Sequence, residues 1–353
     1  MRFIDHILYS ESIYNWFEII PLSKLNGNVV FISGATGMIC SCLVDFLQIW
    51  NSQGGNIKII ASSRKKDKLQ RRFGEETPLF QMVEWDARNP LCMNNPVDYI
   101  IHGASNADPV NFAEKPVDTL LANILGAHEL LEYGHNYNMR RFLYISSGEM
   151  YGQPDNSMSD FVETYCGSVD YSSPRSCYPA GKRAAESLCQ SYISQYDIDA
   201  VIARPCHIFG PTMLREDSRA ISEFFRNAIM GNDIILKSAG LLERSHCYVV
   251  DAAAAILIIL LMGDKGEAYN IADLKYQMTI RSFAEAVAKV SNTKVISENP
   301  SEIELAGYTR VSRAVLNSTK LRTLGWKPHE KEMSKIEMTV RILQSEQEGW
   351  NVI

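Results

Sequence analysis

The sequence lacks the cysteine patterns that indicate metal or redox chemistry. Its eight cysteines are scattered over 353 residues, with no C-x-x-C pair and no cysteine–histidine cluster at zinc spacing. A positive charge excess is also missing, because the net charge is −6, and this disfavours binding to nucleic acid or to an anionic membrane. We expect reduced, mostly buried cysteines and therefore a cytoplasmic protein.

Long apolar runs are absent as well. The most apolar run, Ala252–Met262, is too short to span a bilayer, so it predicts a buried helix and no membrane association. The first twenty residues contain no signal-peptide core, because charged or polar residues interrupt them; they predict helices that pack on the protein. The basic run Arg64–Arg72 is better explained as a solvated helix face than as a nucleic-acid site.

What is present is an alternation of apolar strands and helical patterns between residues 28 and 205. This alternation predicts an α/β fold with a Rossmann-type, doubly wound parallel sheet. From about residue 205 the rhythm becomes irregular, which predicts a smaller α/β lobe. We therefore expect an N-terminal helical extension (1–26), a dinucleotide-binding domain (27–205) and a substrate lobe (206–353) that partly returns to the large sheet.

A glycine-rich turn follows the first strand. Gly34 and Gly37 precede a predicted helix, where backbone N–H groups and the helix dipole favour a pyrophosphate. The third glycine of the dinucleotide fingerprint is missing, and Cys40 takes its place. Because that glycine serves helix–strand packing, we interpret Cys40 as a packing substitution and not as a redox group.

An acidic residue is also missing at the end of the second strand, where it would bind the ribose 2′-hydroxyl of NAD. Ser62, Ser63 and Arg64 stand there, and two hydroxyls with a guanidinium suit a 2′-phosphate. The cofactor is therefore NAD(P), with a slight preference for NADP; recognition of the ribose by backbone groups alone would leave NAD open. Asp86, after the third strand, is a candidate acceptor for the adenine amino group.

Tyr178 and Lys182 are one helical turn apart on one face. A nearby ammonium favours the phenolate, so tyrosine could take a proton from a substrate hydroxyl while hydride leaves for the nicotinamide. Ser146 and Ser147, at the end of the preceding strand, could hold the same oxygen.

At this point the chain resembles the extended short-chain dehydrogenase/reductase family, the nucleotide-sugar epimerases, dehydratases and decarboxylases. The resemblance runs from about Gly27 to about Lys335, through "GATGMIC", "HGASNADPVNF", "LLANILGAHELL", "SSGEMYG", "SPRSCYPAGKRAAESLC", "RPCHIFGPTM", "ERSHCYVVD" and "KLRTLGWKP". It implies catalytic roles for Ser147, Tyr178 and Lys182, a nucleotide-diphosphate sugar as substrate, a role in polysaccharide biosynthesis and a homodimer. It also implies that the dinucleotide contacts Gly34, Thr36, Gly37, Met38, Ile39, Ala104, Tyr178 and Lys182.

Within that family, "SSGEMYG" and "PRSCYPAGKR" are most similar to UDP-glucuronate decarboxylases, and Glu149 matches their motif glutamate. Gly148 replaces the aspartate of the 4,6-dehydratases, which puts ordinary 4,6-dehydration in doubt. Asp108 and His207 depart from the pattern near the sugar, where a carboxylate would repel glucuronate by about 1 to 4 kcal/mol at roughly 4 Å. Candidate substrate contacts are Asp108, Asn123, His207 and Arg244, and each of Asp108, His207 and Glu149 could instead be a satisfied polar residue of the pocket wall.

We therefore predict an enzyme that oxidises a sugar hydroxyl, at C4, with bound NAD(P)+. The ketone would permit epimerisation, elimination or decarboxylation, with Glu149 as the candidate acid/base, before the hydride returns. Two alternatives stay open at this stage. One is an NADPH-dependent 4-keto nucleotide-sugar reductase; the other is a non-catalytic dinucleotide sensor, which would not need Ser147, Tyr178 and Lys182.

Overall fold

A seven-stranded parallel sheet forms the centre of the protein. The computed structural model describes residues 2–154, 160–300, 313–329 and 332–345. The strands of the large sheet are β1 (Val29–Ser33), β2 (Lys58–Ser63), β3 (Phe80–Glu84), β4 (Tyr99–His102), β5 (Arg141–Ile145), β6 (Ala200–Pro205) and β10 (Ala268–Ile271). Their order is β10-β6-β5-β4-β1-β2-β3, and every pairing is parallel. The predicted Rossmann-type fold is confirmed.

Helices cover both faces of this sheet, which explains why its strands are continuous apolar runs. The helices are α1 (Ile7–Tyr14), α2 (Met38–Ser52), α3 (Lys66–Phe73), α4 (Pro109–Glu114), α5 (Pro116–Asn136), α6 (Cys177–Tyr196), α7 (Ala220–Ile229), α8 (Val249–Met262), α9 (Ile280–Ser291), α10 (Thr319–Thr323) and α11 (Lys335–Ser345). Within the described ranges, none of these helices combines the length and the apolar character that crossing a bilayer requires.

Two smaller sheets follow the sixth strand. Strand β9 (Glu243–Tyr248) pairs in parallel with β7 (His207–Phe209) and β13 (Arg313–Ala314), and antiparallel with β11 (Asp273–Thr279). Strands β8 (Ile234–Leu236) and β12 (Val295–Ser297) form a separate parallel pair. Between β9 and β11 the chain returns to the large sheet as β10, which pairs with β6. These elements carry side chains toward the carboxyl ends of β4 and β5, where ligands bind in open α/β sheets.

The N-terminal segment packs against α2 and α8. Tyr9 on α1 is fully buried and donates its hydroxyl to Asp45 on α2 at 2.7 Å. Trp16 is also fully buried, and its Nε1 donates to Asp251 on α8 at 3.1 Å. The segment therefore forms part of the core instead of extending from it.

The basic run after β2 forms α3, but it is not the uniformly solvated face that we expected. Arg72 turns inward and pairs with Asp45 at 2.5 Å, with its guanidinium over the rings of Phe3 and Phe73. Arg71 on the same helix keeps the expected exposed position, paired with Asp67. The difference arises because Arg72 lies on the side of α3 that meets α2.

Candidate active site

The glycine turn is built around close contacts between β1 and β4. Gly34 has φ +68°, and a Cβ there would lie 2.8 Å from backbone atoms of Ala104, so both backbone shape and space require glycine. The Ser33 hydroxyl accepts hydrogen bonds from the N–H groups of Gly103 and Ala104 at 3.1 and 3.2 Å. Gly37 is the N-cap of α2, so the free N–H groups of the helix start face the turn.

Cys40 fills the space between α2 and β4. It is almost fully buried, and a Cβ on Gly103 would lie 2.3 Å from its Sγ. Burial raises the pKa of the thiol to about 12, which disfavours the reactive thiolate. The thiol occupies room that the glycine at position 103 leaves, and this geometry supports the packing interpretation of Cys40.

Three serine hydroxyls along the carboxyl edge of the sheet are buried, and they show whether the cleft suits a dinucleotide. The Oγ atoms of Ser62, Ser105 and Ser146 are buried and lack a hydrogen-bond partner among the described residues. They follow or end β2, β4 and β5, along the carboxyl edge of the sheet, and buried polar groups are normally paired. A polar ligand along this edge would satisfy them, so the residues present fit a dinucleotide.

At the end of β2, only part of the predicted ribose site is open. Ser63 turns back to hydrogen-bond with Lys65, donating to its carbonyl at 2.8 Å. Arg64 is exposed. Asp86 is held by Arg88 at 2.9 Å, and this hydrogen bond is the main cause that lowers the pKa of Asp86, with Arg64 contributing.

The predicted Ser147, Tyr178 and Lys182 come together. Ser147 is the N-cap of the 3-10 helix after β5 and lies close enough to Tyr178 to lower the pKa of its phenol, and Lys182 Nζ lies 5.6 Å from the Tyr178 ring centre. Lys182 is buried, donates to the Ile145 carbonyl at 2.8 Å and has its pKa lowered to about 7 by that burial.

Tyr178 differs from the sequence-based expectation in one respect. Its pKa is raised to about 12, first by burial and then by the carboxylate of Glu149, while hydrogen bonding to Ser147 and the charge of Arg219 lower it. The phenol is therefore protonated at neutral pH unless a further positive charge lies close to it. An oxidised nicotinamide ring carries such a charge, which favours the phenolate.

Glu149 lies beside this group. It follows β5 in a short 3-10 helix, Gly148–Tyr151, and its Oε2 is 2.9 Å from Nη2 of Arg175. Its carboxylate also raises the pKa of Arg244, against the stronger effect of burial, which lowers that pKa to about 10. Glu149 is therefore a carboxylate within electrostatic reach of the Tyr178 hydroxyl.

Two of the four predicted substrate contacts form hydrogen bonds to other groups of the protein. Asp108 is the N-cap of α4 and accepts the N–H of Val110 at 2.8 Å and the hydroxyl of Ser218 at 2.6 Å. Asn123 is fully buried; its amide donates to the Thr119 carbonyl and its Oδ1 accepts from a tyrosine hydroxyl. Asn123 lies on α5 and packs against Gly181 of α6, and a contact between Asn123 and the substrate stays a prediction.

The other two, His207 and Arg244, lie on neighbouring strands β7 and β9. His207 is half-buried, and its pKa is lowered well below the usual value by burial, then by His246 and Arg244. A neutral imidazole and a guanidinium therefore line the same wall of the cleft.

Sequence reasoning missed three residues that the fold brings to Tyr178. Phe112 stacks on the Tyr178 ring with centres 4.6 Å apart, and Arg175 lies over Phe112. Arg219 pairs with Asp217 at 2.9 Å and lowers the pKa of Tyr178. Arg175 and Phe112 both lie in motifs of the family resemblance, Arg175 three residues before Tyr178 and Phe112 at the end of "HGASNADPVNF"; Arg219 lies in none of these motifs.

Comparison with known proteins places this site in a family. A profile of the NAD dependent epimerase/dehydratase family matches residues 30–272, more than two thirds of the chain. The chain belongs to that family. The predicted family resemblance is confirmed, and the matched range contains the glycine turn, Ser147, Tyr178 and Lys182.

Relatives within the family have decarboxylase names. UDP-glucuronic acid decarboxylase 5 of Arabidopsis thaliana is 32% identical over 309 residues, which cover 86% of this chain and 85% of the relative. UDP-glucuronic acid decarboxylase 1 of Danio rerio is 29% identical over 87% of this chain and 70% of the relative.

Solved structures share the family's fold. A dTDP-glucose 4,6-dehydratase of Streptomyces venezuelae, crystallised with NAD, has a TM-score of 0.75 and 21% identity over 92% of this chain and 99% of that chain. An epimerase of Methanothermobacter thermautotrophicus has a TM-score of 0.76 and 19% identity over 98% of each chain. At this identity the likeness concerns the fold.

Proposed function

We propose that the protein modifies a nucleotide-diphosphate sugar by transient oxidation of one hydroxyl. The observation that carries the proposal is the convergence of Ser147, Tyr178 and Lys182 beside the Gly34 turn, at the carboxyl edge of the sheet. Oxidised NAD(P), when bound, supplies the acceptor for the hydride of the sugar carbon. The proton of the same hydroxyl goes to Tyr178, so one C–H and one O–H bond break as a C=O bond forms.

Each residue has a defined task in this step. Ser147, which lies beside Tyr178, orients the sugar oxygen toward the phenol. Lys182 donates to the Ile145 carbonyl and keeps two further N–H donors for a ribose, while its ammonium form favours the phenolate. The ketone acidifies the neighbouring carbons, and Glu149 is the acid/base that acts there before the hydride returns.

The decarboxylase names of the relatives make UDP-glucuronate the first substrate to test. Asp108 does not oppose this, because an N-cap position and Ser218 engage its carboxylate, and an engaged carboxylate repels a second one less. No observation among the relatives favours the reductase alternative. Arg244, on β9, is the candidate contact for the diphosphate, and His207 the candidate contact for the sugar.

The test is turnover without added reductant. Purified protein is incubated with NAD or NADP and with UDP-glucuronate, UDP-glucose or dTDP-glucose, while nicotinamide absorbance and products are followed. We expect the nicotinamide to be reduced transiently and the sugar to be altered. Catalytic amounts of cofactor should suffice. Stoichiometric consumption of reduced cofactor would instead support a reductase, and no absorbance change with any of these sugars would overturn the proposal.

For the cofactor, we propose a preference for NADP within the NAD(P) class. Exposed Arg64 after β2 supports it, together with Arg88 beside Asp86, because two guanidiniums suit a 2′-phosphate. Arg64→Ala should raise the dissociation constant of NADP about tenfold, because the 2′-phosphate would lose about one charge-assisted hydrogen bond. The dissociation constant of NAD should stay unchanged. Arg71→Ala, which removes an exposed arginine of α3, is the control; equal losses for both cofactors would contradict the preference.

We also propose a homodimer in the cytoplasm, with residues 27–205 binding the cofactor and 206–353 the sugar. An apolar stripe at helical spacing on α5 supports the dimer: Val117, Leu121 and Leu125 are exposed. Eight free cysteines support a reducing compartment. Light scattering of wild type and of Leu121→Glu tests the dimer, because a buried charge should shift the mass toward the monomer.

A further inference from the structure

Arg175 is placed to control Glu149. It lies in the single turn Pro174–Ser176 that leads into α6, three residues before Tyr178. Its Nη2 is 2.9 Å from Oε2 of Glu149, and its side chain is only 17% exposed. A partly buried, charge-assisted contact of this length fixes orientation better than an exposed ion pair does.

Packing holds the guanidinium in place. The Cζ atom of Arg175 lies 4.6 Å from the ring centre of Phe112, and the same ring stacks on Tyr178 at 4.6 Å with an interplanar angle of 23°. Phe112 comes from α4, Arg175 from the turn before α6, Tyr178 from the start of α6, and Glu149 from the turn after β5. Three elements therefore fix one carboxylate relative to one phenol.

The charges around this cluster oppose each other. The Glu149 carboxylate raises the pKa of Tyr178 and of Cys177, whereas Arg175 lowers both. Arg244 faces the same carboxylate from β9. Arg175 is the smallest of the causes that act on the pKa of Tyr178, after burial, Glu149, Ser147 and Arg219, so its main effect falls on Glu149 and not on the phenol.

We propose that Arg175 is a positioning residue that holds Glu149 as a carboxylate aimed at the sugar, so that Glu149 enters the cycle as a base. The inference rests on the proposed function. After oxidation, a Glu149 oxygen takes the proton from the carbon next to the ketone. The electron pair of that C–H bond forms the C=C bond of an enolate, whose negative oxygen lies beside Ser147 and Tyr178, and the proton can return from Glu149 without any further reagent.

The test separates hydride transfer from proton transfer. Wild type, Arg175→Met, Arg175→Lys and the control Arg341→Met are mixed in deuterated buffer with NAD(P) and UDP-glucuronate, UDP-glucose or dTDP-glucose. Arg341→Met removes an exposed arginine paired with Glu337 on α11. Nicotinamide absorbance reports hydride transfer, and mass spectrometry of recovered sugar reports carbon-bound deuterium.

For Arg175→Met we expect nicotinamide reduction within about threefold of wild type and deuterium exchange lower by about 10²-fold, the size of effect that a misplaced group causes. Arg175→Lys should recover part of the exchange because it restores the charge, and Arg341→Met should change neither. Equal losses of both signals in Arg175→Met would show a merely structural role and overturn the inference.

A double-variant cycle sharpens the result. If Arg175 acts through Glu149, then Arg175→Met in a Glu149→Gln background should lower exchange by less than about twofold beyond Glu149→Gln alone. Independent, multiplying losses would overturn the inference.

A readout without turnover completes the test. In a crystal structure of Arg175→Met with NAD(P), the Glu149 carboxylate should leave the position that it has in the wild-type complex, and an unchanged carboxylate would overturn the positioning role. Failure of the proposed function is distinguishable, since wild type itself would then reduce no nicotinamide, while this structural comparison would still decide the contact.

Discussion

Two regions of the molecule bury ionisable groups in opposite ways. In the cleft, Tyr178 and Lys182 are buried with their pKa values shifted to about 12 and about 7, and neighbouring serine hydroxyls have no partner among the described residues. Under the N-terminal segment, Asp45 and Asp251 are also fully buried, but each has a cation and an aromatic donor. Asp45 accepts a hydrogen bond from Tyr9 and pairs with Arg72. Asp251 accepts a hydrogen bond from Trp16 and pairs with Lys335.

The comparison teaches how to separate structural from functional burial. A buried carboxylate with a cation and a hydrogen-bond donor from other elements ties those elements together, and removal of one partner is costly. Buried hydroxyls and shifted pKa values at the carboxyl edge of a sheet indicate groups whose partner is a ligand. Loss of a buried carboxylate under the N-terminal segment should therefore lower stability, and loss of the Tyr178 hydroxyl in the cleft should lower activity.

The largest expected effect is on stability. Asp251→Ala should lower the free energy of unfolding by about 3–5 kcal/mol, because Lys335 and the Trp16 N–H would lose their shared acceptor in the core. Urea unfolding measures the loss. Asp67→Ala, which breaks an exposed pair with Arg71, should cost less than about 1 kcal/mol. Similar costs for the two would contradict the structural role of Asp251.

The next effect is on activity alone. Tyr178→Phe should lower kcat by about 10³-fold, because the substrate hydroxyl would lose its proton acceptor, while the affinity for NAD(P) stays within about threefold. Steady-state kinetics and a cofactor-binding titration measure the two quantities. Tyr192→Phe removes a hydroxyl from the same helix away from the cleft and should leave kcat unchanged. Substantial turnover by Tyr178→Phe would refute the proton-transfer role.

A third prediction concerns pH and a buried histidine of β9. Burial lowers the pKa of His246 to about 4, so the unfolded chain binds more protons than the native state between pH 4 and the ordinary histidine value near 6.5. Stability that is present above that window is therefore lost as pH falls through it, by about 3 kcal/mol from this one group.

His246→Asn tests this, because the amide can still donate to the Tyr276 carbonyl without titrating. Urea unfolding at pH 6.5 and pH 4 should show a smaller loss for His246→Asn than for wild type. His135→Asn, on exposed surface of α5, should match wild type. An unchanged loss in His246→Asn would mean that other groups control the acid response.

The smallest effect separates packing from cofactor binding inside the cleft. Cys40→Gly restores the third glycine of the fingerprint, yet it should lower the free energy of unfolding by about 1–2 kcal/mol, because the thiol fills space over Gly103. The dissociation constant of NAD(P) should change less than twofold. A marked change in cofactor affinity with unchanged stability would contradict the packing interpretation.

The fold and the grouping of Ser147, Tyr178 and Lys182 were accessible to sequence reasoning because they depend on local patterns. Hydrophobic periodicity gave the strands and helices of the large sheet, and Tyr178 and Lys182 lie one turn apart on a single helix. The substrate contacts were less accessible. Asp108 and Asn123 bear polar groups that other elements engage, and nothing local reveals that Ser218 or Tyr144 would meet them.

The sequence by itself determined the class of the protein: strand–helix alternation, a glycine turn that only small residues permit, and a phenol and an ammonium at helical spacing. Tertiary structure alone decided how the charges are paired. Arg72 enters the core while Arg71 stays in solvent, and Arg175 meets Glu149 across 26 positions of sequence. The physical reason is that periodicity is a property of neighbours along the chain, whereas the energy of a buried charge depends on which distant group shares its low-dielectric surroundings.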